Sequence, residues 1–313
     1  MYYQLWTKAK LTNRSRRAGG MYSTTRDLSN LARSIIQNSR LTSAQTRRWL
    51  KPVAHTASLE LSVGATWEIR RAKLNPLNHR VVDLYTKTGS VGSYGSLIVL
   101  IPNYDVAFTI LTAGYNNSLV DILAEMLMET FLPVLEQVSK EQAANAFAGI
   151  YASTTAINSS LSLITDDGPG LAIDAWISNG TDVLDTFKSL ADATGGGRPV
   201  GRVRVYPTEL TSPASNAEPT DKHAFRAVFQ VADKSESDAN HRREIFSEDC
   251  STWSSVDEPM YGNNAVDDFI FHTDLHENVV SVELRAFRAS LVKKLGQGVE
   301  HKEGVNEASM AVL

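Results

Sequence analysis

Val81-Val82-Asp83-Leu84-Tyr85-Thr86-Lys87-Thr88-Gly89, Ser96-Leu97-Ile98-Val99-Leu100-Ile101 and Val106-Ala107-Phe108-Thr109-Ile110-Leu111-Thr112 are apolar-rich runs separated only by short turn-forming links. Runs of this length, rich in β-branched and aromatic side chains and bounded by Gly, Ser, Pro and Asn, read as strands. Such short links cannot carry a parallel crossover, so the strands are consecutive and antiparallel. Pro102-Asn103-Tyr104-Asp105 supplies a tight turn. Downstream, Ser118 with Asp121 resembles a capping box, and Leu119, Ile122, Leu123, Met126, Leu127, Phe131, Val134 and Leu135 fall on one helical face. That pattern predicts a helix packed on the sheet, with a kink at Pro133.

Upstream, Ser23-Thr24-Thr25-Arg26-Asp27 leads into Leu28, Leu31, Ala32, Ile35 and Ile36 at helical spacing, which predicts a capped amphipathic helix. Thr42-Ser43-Ala44-Gln45 opens a second helix that ends at Trp49-Leu50 before Pro52. Leu59, Leu61, Val63 and Ala65 alternate with polar or small residues as a strand does. Past Lys140 the runs are short and broken by Asp166-Asp167-Gly168-Pro169-Gly170, by Gly195-Gly196-Gly197 and by a polar stretch from Thr208 to Lys222. Strands are predicted there at Leu161 to Thr165, Arg202 to Tyr206, Ala224 to Val231, Phe269 to His272 and Val279 to Phe287. The expected class is α+β: a mixed domain over 1–141 with helices on an antiparallel sheet, a β-rich domain over 142–297, and a loose tail over 298–313.

The 313 residues are 42% hydrophobic and 21% charged, an ordinary globular balance long enough for two domains. No window approaches the roughly 18 unbroken apolar residues of a membrane-spanning helix, so no membrane partner is expected. The one cysteine, Cys250, excludes an internal disulfide and a zinc site built on paired thiolates. A net charge of −4 does not describe a nucleic-acid binder. The charge is uneven, since residues 1–50 hold ten Lys or Arg against one acid, Asp27. The basic Asn13-Arg14-Ser15-Arg16-Arg17 lacks aromatic interleaving, so a solvated or partner-facing surface is the better reading. Met1 to Lys8 shows no signal-peptide order, while N-x-S/T sequons start at Asn13, Asn116, Asn158 and Asn179, which leaves localisation open.

Lys87-Thr88-Gly89-Ser90 carries the most chemistry. A strand with this sequence presents a cation, a hydroxyl and bare backbone together, and alternation puts Lys87 and Gly89 on one face. The ammonium can hold a substrate carboxylate or acyl carbonyl, the glycine admits a substrate close to the strand, and the Ser90 amide can donate to a developing oxyanion. With Ala18-Gly19-Gly20-Met21-Tyr22-Ser23-Thr24-Thr25-Arg26-Asp27-Leu28 upstream and a hairpin and amphipathic helix downstream, the segment resembles the carboxyl-terminal half of the serine β-lactamase and penicillin-binding-protein family, in its class C-like branch. Fungal β-lactamase-like proteins with an appended β-domain are the nearest resemblance, and Cys250-x-x-Trp253 with Asp257, Tyr261 and Gly262 looks like that appended domain. The resemblance implies serine hydrolysis or acyl transfer on an ester, amide or β-lactam-like small molecule, with uses in fungal secondary metabolism. It implies that Lys87 orients the substrate, Thr88 hydrogen-bonds its carboxylate and Ser90 lends an oxyanion amide. No cofactor and no metal are implied.

The family's nucleophile is the serine of an S-x-x-K motif, joined by a Tyr-x-Asn proton shuttle, and both precede Lys-Thr-Gly. Here the only S-x-x-K is Ser290-Leu291-Val292-Lys293, in a stretch that reads as strand, where positions three apart face opposite sides. Tyr115-Asn116-Asn117 matches Tyr-x-Asn as letters but fills a loop after the third strand. The expectation is a chain that begins after the catalytic motifs, has no catalytic residue of its own, and leaves an apolar face open or covered by a second copy. His272-Thr273-Asp274-Leu275-His276-Glu277 reads as a polar turn, Gly195-Gly196-Gly197-Arg198 as a loop without the P-loop lysine, and Trp176 and Trp253 as core. Ser93 and Ser96 lie near Lys87 with no activating His or Lys at a suitable spacing. Two readings stand: a hydrolase or acyltransferase family member without its nucleophile, and a non-catalytic binding or accessory protein that keeps the Lys-Thr-Gly strand.

Overall fold

The computed structural model describes residues 20–74, 80–114, 118–155, 157–193, 200–215, 219–231, 252–276 and 278–294. The chain divides into two units, Met1–Gln142 with Asp167–Pro169, and Ala143–Asp166 with Gly170–Leu313. The architecture is α+β, with helices and antiparallel sheet in the first unit and a β-rich second unit.

In the first unit, Thr24 caps helix α1 (Thr25–Ile36): its hydroxyl accepts the Asp27 N–H and donates to the Asp27 carboxylate. Thr42 and Gln45 form a reciprocal capping box at helix α2 (Ser43–Leu50). Strands β1 (Pro52–His55), β2 (Leu61–Gly64), β3 (Glu68–Lys73), β4 (Val81–Val91), β5 (Tyr94–Ile101) and β6 (Val106–Ala113) then pair antiparallel in chain order into a six-stranded sheet. Between β5 and β6, Pro102–Tyr104 makes a single 3₁₀ turn that Asp105 closes at φ 53°. β1 and β3 were not predicted: β3 reads Glu-Ile-Arg-Arg-Ala-Lys, whose charges hide its strand character.

Alternation splits the sheet into two apolar faces. Val82, Leu84, Leu97, Val99, Ile101 and Ile110 bury one face against helix α3 (Leu119–Phe147). Ile69 and Leu100, with Trp67, bury the other against Ala32 and Ile35 of α1 and Leu50 of α2. The packed side of α3 matches the predicted one only in part: Leu123 and Leu127 pack as expected, but the buried residues are Val120 and Leu132, with Ala124 and Met128 beside them. Leu119, Ile122, Met126, Phe131 and Val134 are exposed. Apolar residues run around most of this helix, so spacing alone cannot choose its inner face. The helix also continues past Pro133 to Phe147. Tyr104 donates to the Glu136 carboxylate at 2.6 Å, and Arg80 pairs with the same carboxylate at 3.1 Å, tying the β5–β6 turn and the start of β4 to α3.

In the second unit, β7 (Gly149–Ala152), β8 (Ser160–Ile164), β9 (Leu171–Ser178) and β10 (Thr181–Asp182) precede helix α4 (Val183–Ala193). β11 (Val200–Ser212), β12 (Asp221–Val231), β13 (Met260–Tyr261), β14 (Asn264–Ala265), β15 (Asp268–Thr273), β16 (Val279–Leu284) and β17 (Ala289–Lys293) follow. The order is β10-β9-β11-β12-β15-β16-β17-β7-β8, and β8 also pairs with β9, so the sheet closes on itself. Closure removes the unpaired edges that an open sheet exposes. The inside is filled by side chains that include Tyr151, Trp176, Phe225, Phe269 and Phe271, with the Phe147 ring tilted against Phe225 and edge-on to Phe271. The polar stretch from Thr208 to Lys222, read as a break, includes the end of β11 and the start of β12. The predicted tail over 298–313 lies outside the described residues.

Gly95 on β5 lies close under Val120 of α3. A Cβ there would lie 2.7 Å from Val120 Cγ2 and 2.7 Å from Thr112 Oγ1. Gly95→Ala is expected to destabilise the protein by about 1–3 kcal/mol through overpacking, measured as a fall in melting temperature.

Candidate functional site: the open edge of the Lys-Thr-Gly strand

Strand β4 pairs with β5 over Tyr85–Val91 but with β3 only over Val81–Thr86. Among the described residues, Lys87–Val91 therefore has no strand partner on the β3 side. The hairpin register fixes which groups face that gap. A two-residue link, Gly92-Ser93, joins Val91 to its partner Tyr94, which makes that pair the hydrogen-bonded one beside the turn. Counting back by twos, Val91, Gly89 and Lys87 direct N–H and C=O to β5, while Ser90 and Thr88 direct theirs to the vacated side. The Thr88 carbonyl accordingly accepts Lys87 Nζ at 2.9 Å.

Glu68, the last ladder partner on β3, sits opposite Thr86. Its carboxylate receives Lys87 Nζ at 2.5 Å on Oε1 and the Thr88 hydroxyl at 3.0 Å on Oε1 and 2.9 Å on Oε2. Glu68 and Thr88 share a face of the sheet, whereas Lys87 starts from the opposite face and bends around the end of β3. Partial burial by itself raises the Glu68 carboxyl, but the hydrogen bonds from Lys87 and Thr88 and the charge of the ammonium outweigh it and hold the pKa below the ordinary value of 4.5. Sequence reading did not find Glu68, because its place at this site depends on the β3–β4 register. The nearest signal was a carboxylate next to Trp67, itself a core residue.

Gly89 has a second neighbour that requires it. A Cβ on Gly89 would lie 2.6 Å from Ser96 Oγ, and that hydroxyl donates to the Gly89 carbonyl at 3.2 Å. Ser96 is thus turned to the strand backbone.

The other sequence candidates fall on other segments of the chain. Ser290 and Lys293 both fall on β17, with Ser290 exposed opposite Glu283, and Lys293 donating at 2.7 Å to the Ala146 carbonyl near the end of α3. Asp274 accepts the N–H groups of His276 and Asn278, making the turn after β15. Trp176 is fully buried, but Trp253 departs from the expected core role: it is 56% exposed and rests on Tyr206 with ring centroids 4.9 Å apart. Its indole covers another ring at the surface, which spacing in the sequence does not distinguish from burial. Asp257 donates its N–H to Asp267 and pairs with Arg226, and Tyr261 stacks on Phe287. Gly19, Tyr115-Asn116-Asn117, Gly195 to Arg198 and Cys250 lie outside the described residues.

The family model described as "Beta-lactamase-like-like, C-terminal domain" matches residues 139–295, and the one described as "Beta-lactamase" matches residues 2–127. The chain belongs to the β-lactamase-like family. Its curated relatives include a "Beta-lactamase-like protein" of Arthroderma benhamiae, 29% identical over 88% of this chain and 49% of that protein. A "Probable hydrolase M10" of Phoma sp. is 27% identical over 88% of this chain and 45% of that protein. A "Probable hydrolase clz13" of Cochliobolus lunatus is 26% identical over 91% of this chain and 46% of that protein. The chain spans about half the length of these relatives. Among solved structures, an octameric penicillin-binding protein homologue from Pyrococcus abyssi gives a TM-score of 0.28 at 15% identity over 66% of this chain and 45% of that chain, too slight a likeness to bear on the fold. In this β-lactamase-like chain, the edge at Lys87 to Ser90 and the carboxylate of Glu68 make up the candidate site.

Two outcomes follow from the geometry. Gly89→Ala should displace the Ser96 hydroxyl and cost on the order of 1 kcal/mol, and less when Ser96→Ala is already in place, a coupling that a double-mutant cycle of melting or denaturant curves reads directly. Because the folded Glu68 pKa is depressed, its stabilising contribution is full above the unfolded value of 4.5 and is lost as pH falls through the lower folded value. Glu68→Gln should accordingly lose less stability than the wild type on acidification from about pH 5 to pH 3.

Proposed function

We propose that this chain carries the substrate-binding strand of a β-lactamase-like serine hydrolase or acyltransferase, and that an ester, amide or β-lactam-like acyl group lies along the open edge of β4. The observation that carries this reading is the gap left beside Lys87–Val91 where β3 ends. A strand edge with outward N–H and C=O groups at Thr88 and Ser90 can pair with a substrate backbone as another strand would. The Ser90 N–H is placed to donate to the oxygen that becomes negative when an acyl group is attacked. Gly89 keeps that approach clear, beside the Lys87–Glu68 pair. Two of the curated relatives are named hydrolases, which supports the reaction class. The proposed division places this acyl-binding machinery in 1–141 and a separate β-rich domain in 142–297.

The nucleophile is not supplied by residues of this chain. Its one S-x-x-K, Ser290 to Lys293, lies on a strand with the serine exposed and the ammonium held by the Ala146 carbonyl. That observation also favours the second reading, in which the 313 residues bind an acyl ligand without turning it over.

Incubation of the 313-residue protein with a β-lactam or an activated ester is expected to add no acyl mass. An adduct in the intact mass spectrum refutes the absence of a nucleophile. Ser90→Pro removes an N–H that points away from β5 and leaves the β4–β5 ladder bonds in place, so the strand should persist as an edge strand with proline does. Affinity for a neutral acyl ester, followed by calorimetry, should then fall about tenfold or more, roughly 1.4 kcal/mol. Unchanged affinity in that variant counts against the edge as the binding site.

A further inference from the structure

Lys87 and Thr88 are the groups expected to receive a substrate carboxylate, yet both already hold one. The Lys87 ammonium contacts Glu68 Oε1, and the Thr88 hydroxyl reaches both oxygens of the same carboxylate. We propose that Glu68 is a resident carboxylate that fills the anion position of this site, so that the site takes neutral acyl compounds such as esters and lactones and refuses those that carry a free carboxylate. The inference deepens the acyl-binding reading and rests on it.

The geometry favours occupancy from within over occupancy by a ligand. Glu68 is held at the end of β3 by its ladder pairing with Thr86, and the Thr86 hydroxyl also donates to the Glu68 carbonyl at 2.6 Å. Its carboxylate is therefore delivered at the effective concentration of an attached group, which for short connections reaches millimolar or above. An incoming anion would have to displace it and meet its negative charge at a distance of a few ångströms. The Thr88 hydroxyl has a single proton to donate, and it is directed to Glu68. The charge of Lys87 is offset in the same contact, so the pair presents a nearly neutral surface to a substrate. The Ser90 N–H is left out of this arrangement and stays directed at the gap. A neutral acyl group can therefore still be oriented by the backbone edge while the side-chain donors remain engaged.

A matched pair of ligands separates the alternatives: N-acetylphenylalanine methyl ester and the free acid, titrated at pH 7 into the full 313-residue wild type, Glu68→Gln, Glu68→Ala and Glu68→Ala/Lys87→Ala. The wild type should bind the ester in preference to the acid. Both single variants should gain at least tenfold in affinity for the acid with little change for the ester, and the double variant should lose that gain. Equal affinity of wild type and variants for the acid, with the ester still bound, overturns the role of Glu68 while leaving the open edge as the acyl site. A lowered melting temperature in Glu68→Gln and Glu68→Ala with no change in the ratio of acid to ester affinity likewise overturns it, and makes Glu68 a purely structural partner of β4. Failure of every form to bind either compound removes the edge reading itself, and the present inference with it.

Discussion

The ladder between β3 and β4 ends at the Glu68–Thr86 pair, while the ladder between β4 and β5 continues to Val91, and this difference in length governs the rest of the site. A strand flanked on both sides has its backbone groups consumed by its neighbours. Among the described residues only one side of β4 is consumed beyond Thr86, and backbone N–H and C=O groups left without a partner need water, a side chain or a ligand. Lys87 partly answers that need by folding back on the Thr88 carbonyl. The same early end of β3 lets Glu68 turn its carboxylate to the next residues of β4 and not to solvent. Edge and carboxylate are two results of one boundary.

That boundary is useful only if β4 is held still, and the packing does so from both sides. Val82 and Leu84 lock one face under α3, while Tyr85 packs among Trp67, Ile69 and Leu100 beneath α1 and α2. Gly95 sets how closely α3 approaches, since any side chain there would strike Val120. A site built on a strand clamped between two layers is positioned more accurately than one on a loop. The exposed stretch from Lys87 onward is an extension of this rigid strand, and Gly89 remains bare because Ser96 fills the space above it.

How much of this was legible in the sequence depends on how local the information was. β4, β5 and β6 were readable because alternation, β-branched content and short turns all lie within one window, and the helix caps at Thr24 and Thr42 were readable for the same reason. β3 was not, because Arg70, Arg71 and Lys73 break its apolar pattern, and its strand character comes from pairing with β4. The inner face of α3 could not be chosen while Ile122, Met126 and Phe131 were as apolar as the residues that are packed. Closure of the second sheet joins β8 to β9 and β17 to β7, the latter pairing strands far apart in the chain. The Lys-Thr-Gly edge was legible as residue types, but its carboxylate partner lay nineteen positions upstream of Lys87 and required the register.

The presence of Glu68 alters what the cation of this strand is for. A free ammonium attracts any anion, including a ground-state carboxylate, and uniform binding of that kind lowers KM without helping the chemical step. An ammonium already engaged by a carboxylate loses most of that attraction, because two opposite charges in contact present little net field to a third group. The Ser90 N–H is different in kind: a neutral donor interacts modestly with a neutral carbonyl and much more strongly with the oxyanion that replaces it. On the proposed reading, internal neutralisation of Lys87 shifts discrimination from the charge of the substrate to the charge that develops during acyl transfer. The glutamate thereby narrows the ligands accepted while leaving the oxyanion donor intact.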